Sequence, residues 1–172
     1  MRLLLLLPVA LLLACTSEST ERRSGTDAED TVIYLSRHAE KAAGSDPALL
    51  PAGKDRAGRL AERLAGEGIA AVYATKFRRT RETARPTAER AGVKVSRYAA
   101  GGNPESLTRG WLRQHRGQRI LVVGHSNTVP GLVNALLGEA RYSDISEDDY
   151  SNLYRVSVTP DGVATVRELS SD

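Results

Sequence analysis

Two of the three histidines in the chain stand beside residues suited to phosphorus chemistry. Arg37-His38 follows the apolar run Val32-Ile33-Tyr34-Leu35, and His125 follows Ile120-Leu121-Val122-Val123-Gly124. An unprotonated imidazole can displace a leaving group from phosphorus in line, splitting one hard displacement into two easier ones. The oxygens of the transferring group then need positive charge around them, and guanidinium groups supply paired donors that match them. A third segment, Thr75-Lys76-Phe77-Arg78-Arg79-Thr80-Arg81-Glu82-Thr83-Ala84, opens a helical pattern with three arginines. Positive charge at a helix start opposes the helix dipole, so at least one of these arginines is expected to answer to an anion. An Arg-His pair alone is a weak signal. It gains weight because all three segments begin where a strand is expected to end. The remaining histidine, His115, closes a helical pattern beside Arg113 and Arg116 and reads as a surface residue favoured by the helix C-terminus.

The elements that must position these residues emerge from hydrophobic spacing. Strands are predicted over 31–36, 69–74, 93–98 and 119–123. Helices are predicted over 53–67, where Ala57, Leu60, Ala61 and Leu64 share a face before Gly66 and Gly68, and over 79–91, where Pro86 should kink or restart the helix. A third spans 104–115 with Asn103 as its cap and Pro104 at its first position. A fourth runs over 128–137 and stops at Gly138. Residues 153–158 and 163–169 flank Thr159-Pro160-Asp161-Gly162, a turn signal, and should pair as an antiparallel hairpin. Strands alternating with helices imply an α/β domain with a mostly parallel sheet covered on both faces. Ligands in such sheets sit beyond the carboxyl ends of the strands, where His38, His125 and the arginine segment all fall.

The 172 residues suffice for one domain, and 41% hydrophobic with 26% charged residues is ordinary for a soluble one. The net charge of +3 is too small to argue for nucleic acid, and the arginine clusters lack interleaved aromatics. The single cysteine excludes an internal disulfide. The chain begins Met1-Arg2, continues with an apolar run over 3–13 too short to span a bilayer, and reaches Ala14-Cys15. A secretory leader fits this pattern. Leu12-Leu13-Ala14-Cys15 resembles the lipobox of bacterial lipoproteins, which implies cleavage after residue 14 and acylation of Cys15. An ordinary leader with a Cys at its cleavage site is the alternative. Thr16 where some lipoproteins carry Asp implies, by the same resemblance, an address other than the inner membrane. The expected organisation is therefore a signal peptide over 1–14, a lipidated polar tether over 15–30 and a folded domain over 31–172. The expected location is the bacterial cell envelope, extracytoplasmic and held on the outer membrane by lipid on Cys15.

Arg37-His38-Ala39-Glu40, Arg79-Thr80-Arg81-Glu82-Thr83-Ala84 and Gly124-His125-Ser126 resemble the three signatures of the histidine phosphatase superfamily. That family holds cofactor-dependent phosphoglycerate mutases, phosphohistidine phosphatases and many broad phosphatases, and the likeness spans Val32 to about Leu169. It implies a three-layer α/β/α sandwich. It also implies that His38 is the nucleophile, that Arg37 and Arg79 bind the phosphoryl oxygens, and that a cationic His125 adds a contact. Arg78 rivals Arg79, but the register Arg-x-x-Glu-Thr-Ala favours Arg79. Ser36, Ser126 and Asn127 are expected to orient the phosphate or a histidine.

The sequence departs from the family pattern in places. Ala39 stands where a Gly is common, and Ser126 stands where one branch has an Asp acid. The other carboxylate in a family position, Glu105, is either the leaving-group acid or a carboxylate favoured at a helix start. Residues 146–149 read as a solvated acidic loop, and Tyr150 and Tyr154 as packing residues. No metal-ligand spacing and no cofactor motif appears. The expected activity is metal-independent hydrolysis of phosphate esters, on a phosphorylated small molecule or phosphoprotein. A mutase-like transferase and a non-catalytic phospho-ligand binding lipoprotein are the alternatives.

Overall fold

The computed structural model describes residues 29–171, so the leader, Cys15 and the tether up to residue 28 lie outside the described residues. The chain runs β1 (Thr31–Arg37), α1 (Pro51–Arg63), β2 (Ile69–Ala74), α2 (Arg78–Ala91), β3 (Val95–Arg97), α3 (Pro104–Gln114), β4 (Arg119–Gly124), α4 (Val129–Leu137), β5 (Asn152–Val158) and β6 (Ala164–Ser170). The six strands form one sheet in the order β3-β2-β4-β1-β5-β6. β3, β2, β4 and β1 are parallel, while β5 and β6 run antiparallel as the expected C-terminal hairpin.

Alternation along the strands sorts the core into two layers. Val32 and Tyr34 of β1, with Leu121 and Val123 of β4, pack with Leu60 of α1 and with Ala84 and Ala88 of α2. Ile33 and Leu35, with Ile120 and Val122, face Trp111 of α3 and Leu132 and Val133 of α4. The result is the α/β/α sandwich that the pattern implied. Asn103 caps α3 as expected, its side chain accepting from the Ser106 N–H at 2.8 Å.

Three details differ from the sequence reading. α2 continues through Pro86, because Thr80, Thr83, Ala84, Thr87 and Ala88 bury a face along the whole helix, and that packing outweighs the one lost backbone bond. β3 shrinks to three residues at the sheet edge, where only β2 pairs with it. His115 is buried rather than on the surface: its ring bridges the Tyr73 hydroxyl at 2.8 Å and the Gln118 side chain at 2.9 Å. A buried phenol needs a partner, and His115 supplies it.

The register of the two central strands sets where the histidines emerge. Arg37 pairs with Gly124, and the His38 N–H donates to the Gly124 carbonyl at 3.0 Å. His38 and His125 are thus each the first residue beyond neighbouring parallel strands.

Candidate active site

His38, His125 and Thr75 each directly follow a strand, so β1, β4 and β2 deliver them to one edge. The two imidazole rings lie 5.5 Å apart at 69°. Backbone fit holds them close. A Cβ on Gly124 would stand within 3.0 Å of Tyr98, Val129 and Thr128, so only glycine fits before His125. A Cβ on Gly53 would lie 2.2 Å from the Glu40 carbonyl, and its absence lets α1 close over the segment after His38. Thr83 of α2 ties that segment down, accepting from the Ala39 N–H at 3.0 Å while donating to the Arg79 carbonyl at 2.8 Å.

Hydrogen bonding fixes the tautomer of each ring. His38 Nδ1 lies 2.9 Å from the Ala39 carbonyl, which can only accept, so Nδ1 carries the proton and Nε2 keeps its lone pair. Burial pushes His38 down to about 4, and the charges of Arg79, His125 and Arg37 push the same way against the Ala39 carbonyl. The ring is therefore neutral and nucleophilic at physiological pH. His125 is also pushed down to about 4, first by burial and then by Arg79 and Arg37. Among these arginines the ring stays neutral when no ligand is bound. Arg79 Nη2 approaches its Nδ1 at 3.4 Å as a donor, which leaves Nε2–H to donate to Thr75 Oγ1 at 3.0 Å. Thr75 in turn meets Thr80 Oγ1 at 2.8 Å, and Thr80 donates to the Phe77 carbonyl at 2.8 Å. This chain of hydroxyls sets one direction for every proton.

The two neighbouring arginines of α2 are placed differently. Arg78 is turned outward, its Nε bonded to Glu82 and its backbone N–H to Asp46. Arg79 lies over the Phe77 ring at 4.5 Å, and Phe77 meets His125 edge-on at 5.3 Å. Arg37 is 1% exposed and runs under the loop before β5. Its Nη1 donates to the Ser146 and Asp149 carbonyls at 2.6 and 2.9 Å, its Nη2 to Glu147 at 3.0 Å, and the Tyr150 ring covers it at 4.2 Å. The Nε groups of both Arg37 and Arg79 are buried with no hydrogen-bond partner among the described residues. Buried unpaired donors are costly, and two of them on cations beside a nucleophilic ring suit an anion with several oxygens.

Several residues sit differently from their sequence reading. The 146–149 loop is not simply solvated, since it clamps Arg37, and Tyr150 lies 6.1 Å from the His38 ring. Ser126 donates to Glu147 at 2.7 Å. Ser36 donates to the Arg37 and Asn152 carbonyls, so it braces the backbone. Asn127 is exposed and Glu105 is exposed on the first turn of α3; neither side chain bonds to either histidine. Sequence reasoning missed Thr75, Thr80 and Glu147. Thr80 lies inside the arginine motif, but nothing in the spacing marks Glu147. A cleft of about 490 Å³ at the opposite end of the sheet is lined by Arg109, Arg113 and Arg116 and by neither His38 nor His125.

Two buried neutral imidazoles leave a thermodynamic signature. In the unfolded chain each takes up a proton at about pH 6.5, whereas in the fold each stays neutral down to about 4. Between those values the unfolded state binds more protons, so stability falls as pH falls. Denaturant unfolding from about pH 7 to about pH 4 should show that loss, with a shallower slope in a His38→Asn/His125→Asn double variant. Equal slopes would contradict the burial of neutral rings.

The fold has counterparts among known proteins. Residues 33–100 match the family model of the histidine phosphatase superfamily (branch 1). No curated protein matches the chain. Among solved structures it resembles the protein histidine phosphatase SixA complexed with tungstate, with 20% identity and a TM-score of 0.66, covering 81% of this chain and 97% of that one. It resembles YhfR of Bacillus stearothermophilus at 17% identity and TM-score 0.65, covering 82% and 98%. A phosphoserine phosphatase variant from Entamoeba histolytica in complex with phosphoserine resembles it at 16% and 0.65, covering 83% and 98%.

Proposed function

We propose that the chain is a phosphatase of the histidine phosphatase superfamily, whose model its residues 33–100 match, and that it hydrolyses phosphate esters through a phosphohistidine on His38. The observation that carries this reading is a buried His38 whose Nδ1–H is committed to a carbonyl, beside unpaired Nε donors on Arg37 and Arg79. His38 Nε2 attacks phosphorus, and the two guanidiniums spread their donors over the equatorial oxygens. His125 arrives neutral, and the dianion of a phosphate ester brought against it favours its protonated form. Thr75 then retains the Nε2 proton while Nδ1 gains one facing the ligand. Water completes the cycle by attacking the phosphohistidine. The guanidiniums supply the charge stabilisation, so the chemistry needs no metal ion. Release of nitrophenol from nitrophenyl phosphate by the full chain, undiminished by a chelator, is the test. Loss of activity on chelation with recovery on adding metal would overturn the metal-free part. No release from any monoester would overturn the whole.

We further propose that the natural protein is a lipoprotein of the bacterial envelope, cut before Cys15 and acylated there, with its domain outside the cytoplasm. Leu12-Leu13-Ala14-Cys15 supports this, since several acyl chains anchor stably at about 0.8 kcal/mol per buried methylene. The native protein should fractionate with membranes and carry lipid on Cys15, and Cys15→Ser should yield soluble or unprocessed protein. Mass spectrometry showing unmodified Cys15 in membrane-free mature protein would refute the anchor.

A further inference from the structure

Hydrolysis of an alkyl phosphate needs a proton on the departing oxygen, and the site's depth restricts where that proton comes from. His38 lies on the floor, 3% exposed, with β1 and the core beneath it. A group attacked in line from Nε2 must leave away from that floor, toward the mouth. Glu147 stands there with its side chain 78% exposed. One carboxylate oxygen takes the Arg37 Nη2 at 3.0 Å and the other takes the Ser126 hydroxyl at 2.7 Å. The carboxylate therefore spans the end of β1 and the loop after β4, the two that would hold the phosphoryl group.

Several other carboxylates among the described residues have partners of their own. Asp149 accepts from the Ser151 backbone and hydroxyl and from Asn152, which locks it into a turn. Glu40 is held by Arg56, Glu82 by Arg78 and the Leu49 N–H, and Glu139 pairs with Arg141. Glu105 reaches neither Arg37 nor either histidine through any bond among the described residues.

We propose that Glu147 is the leaving-group acid of this phosphatase, an assignment that rests on the phosphohistidine reading above. Its carboxyl gives a proton to the bridging ester oxygen as the P–O bond breaks and the bond from phosphorus to His38 Nε2 forms, so the alcohol departs neutral. Water then attacks the phosphohistidine and passes a proton to the Glu147 carboxylate. The P–N electron pair returns to Nε2 and phosphate leaves. The ligand-free contacts supply the trigger. At rest, Ser126 and Arg37 hold Glu147 below the usual carboxylate range. A phosphate dianion that pairs with Arg37 offsets that stabilising charge and places negative charge beside the carboxylate, which favours its protonated form. The proton comes from bulk solvent, to which the group is open, or from a monoanionic substrate.

The test compares a phosphate ester of a simple alcohol with nitrophenyl phosphate, whose leaving group departs unaided, on the full chain. Measured on the first turnover, before the phosphohistidine is hydrolysed, Glu147→Gln should slow release of the simple alcohol about 10²- to 10⁴-fold and slow release of nitrophenol far less. Equal loss of first-turnover release on both substrates would make Glu147 a residue that only positions Arg37 and would overturn the assignment. So would an unaffected alkyl rate, or a selective alkyl loss in Glu105→Gln instead. A wild-type chain inactive on both substrates would fail at the phosphatase reading itself.

Discussion

His38→Ala should abolish turnover, with a loss on the order of 10⁴-fold or more, because it removes the atom that forms the covalent intermediate. The ring is buried and its Nδ1–H serves one carbonyl, so deletion leaves a small gap and one unpaired Ala39 oxygen. The fold should survive, since β1 keeps its pairing with β4 and β5. Binding of inorganic phosphate should survive too, because Arg37 and Arg79 remain. Loss of turnover with retained phosphate binding separates a missing nucleophile from a damaged site. Near-normal turnover in His38→Ala would mean that another group attacks phosphorus.

The arginines should show the next largest effects, and their ranking is informative. Arg79→Ala removes a guanidinium with a buried, unpaired Nε beside His125. Arg37→Ala removes the second such donor. Each should weaken transition-state stabilisation by about 3 kcal/mol or more, by analogy with deleting an oxyanion donor. That is on the order of 10²-fold in kcat/KM. Arg37→Ala should also loosen the loop before β5, since it strips a donor from the Ser146 and Asp149 carbonyls. Its thermal stability should therefore fall further than that of Arg79→Ala. Arg78 is half exposed and paired with Glu82, so Arg78→Ala should change kcat/KM little. A larger effect at Arg78 than at Arg79 would place the phosphate on the outer side of α2.

Much of this arrangement is legible in the amino-acid sequence. The strand-end positions of His38 and His125 come from short apolar runs that stop at Ser36-Arg37 and Gly124, and parallel pairing then brings those ends together. Arg79 and Arg78 part company because one residue along a helix turns a side chain by about 100°, which is the distinction that the motif register draws. What stayed hidden depends on long-range packing. The charge of His125 is set by burial and by two arginines from other segments, which no local pattern records. His115 looked like a helix-end surface residue because its partner, Tyr73, lies 42 positions away. Residues 146–149 read as a solvated loop because acidic residues suit water, and only the buried Arg37 gives them a second role. Pro86 misled in the opposite sense, since a helix breaker was outvoted by a continuous buried face.

The central claim is a covalent phosphoenzyme on His38, and trapping it is the most direct measurement. The full chain would be mixed with labelled phosphate ester, quenched without acid, and mapped by peptide mass spectrometry. A phosphoryl group on His38, labile to acid and stable to base, and absent from His38→Ala, is the expected result. Steady turnover with no label on the protein, or label on a serine, threonine or aspartate, would contradict the account.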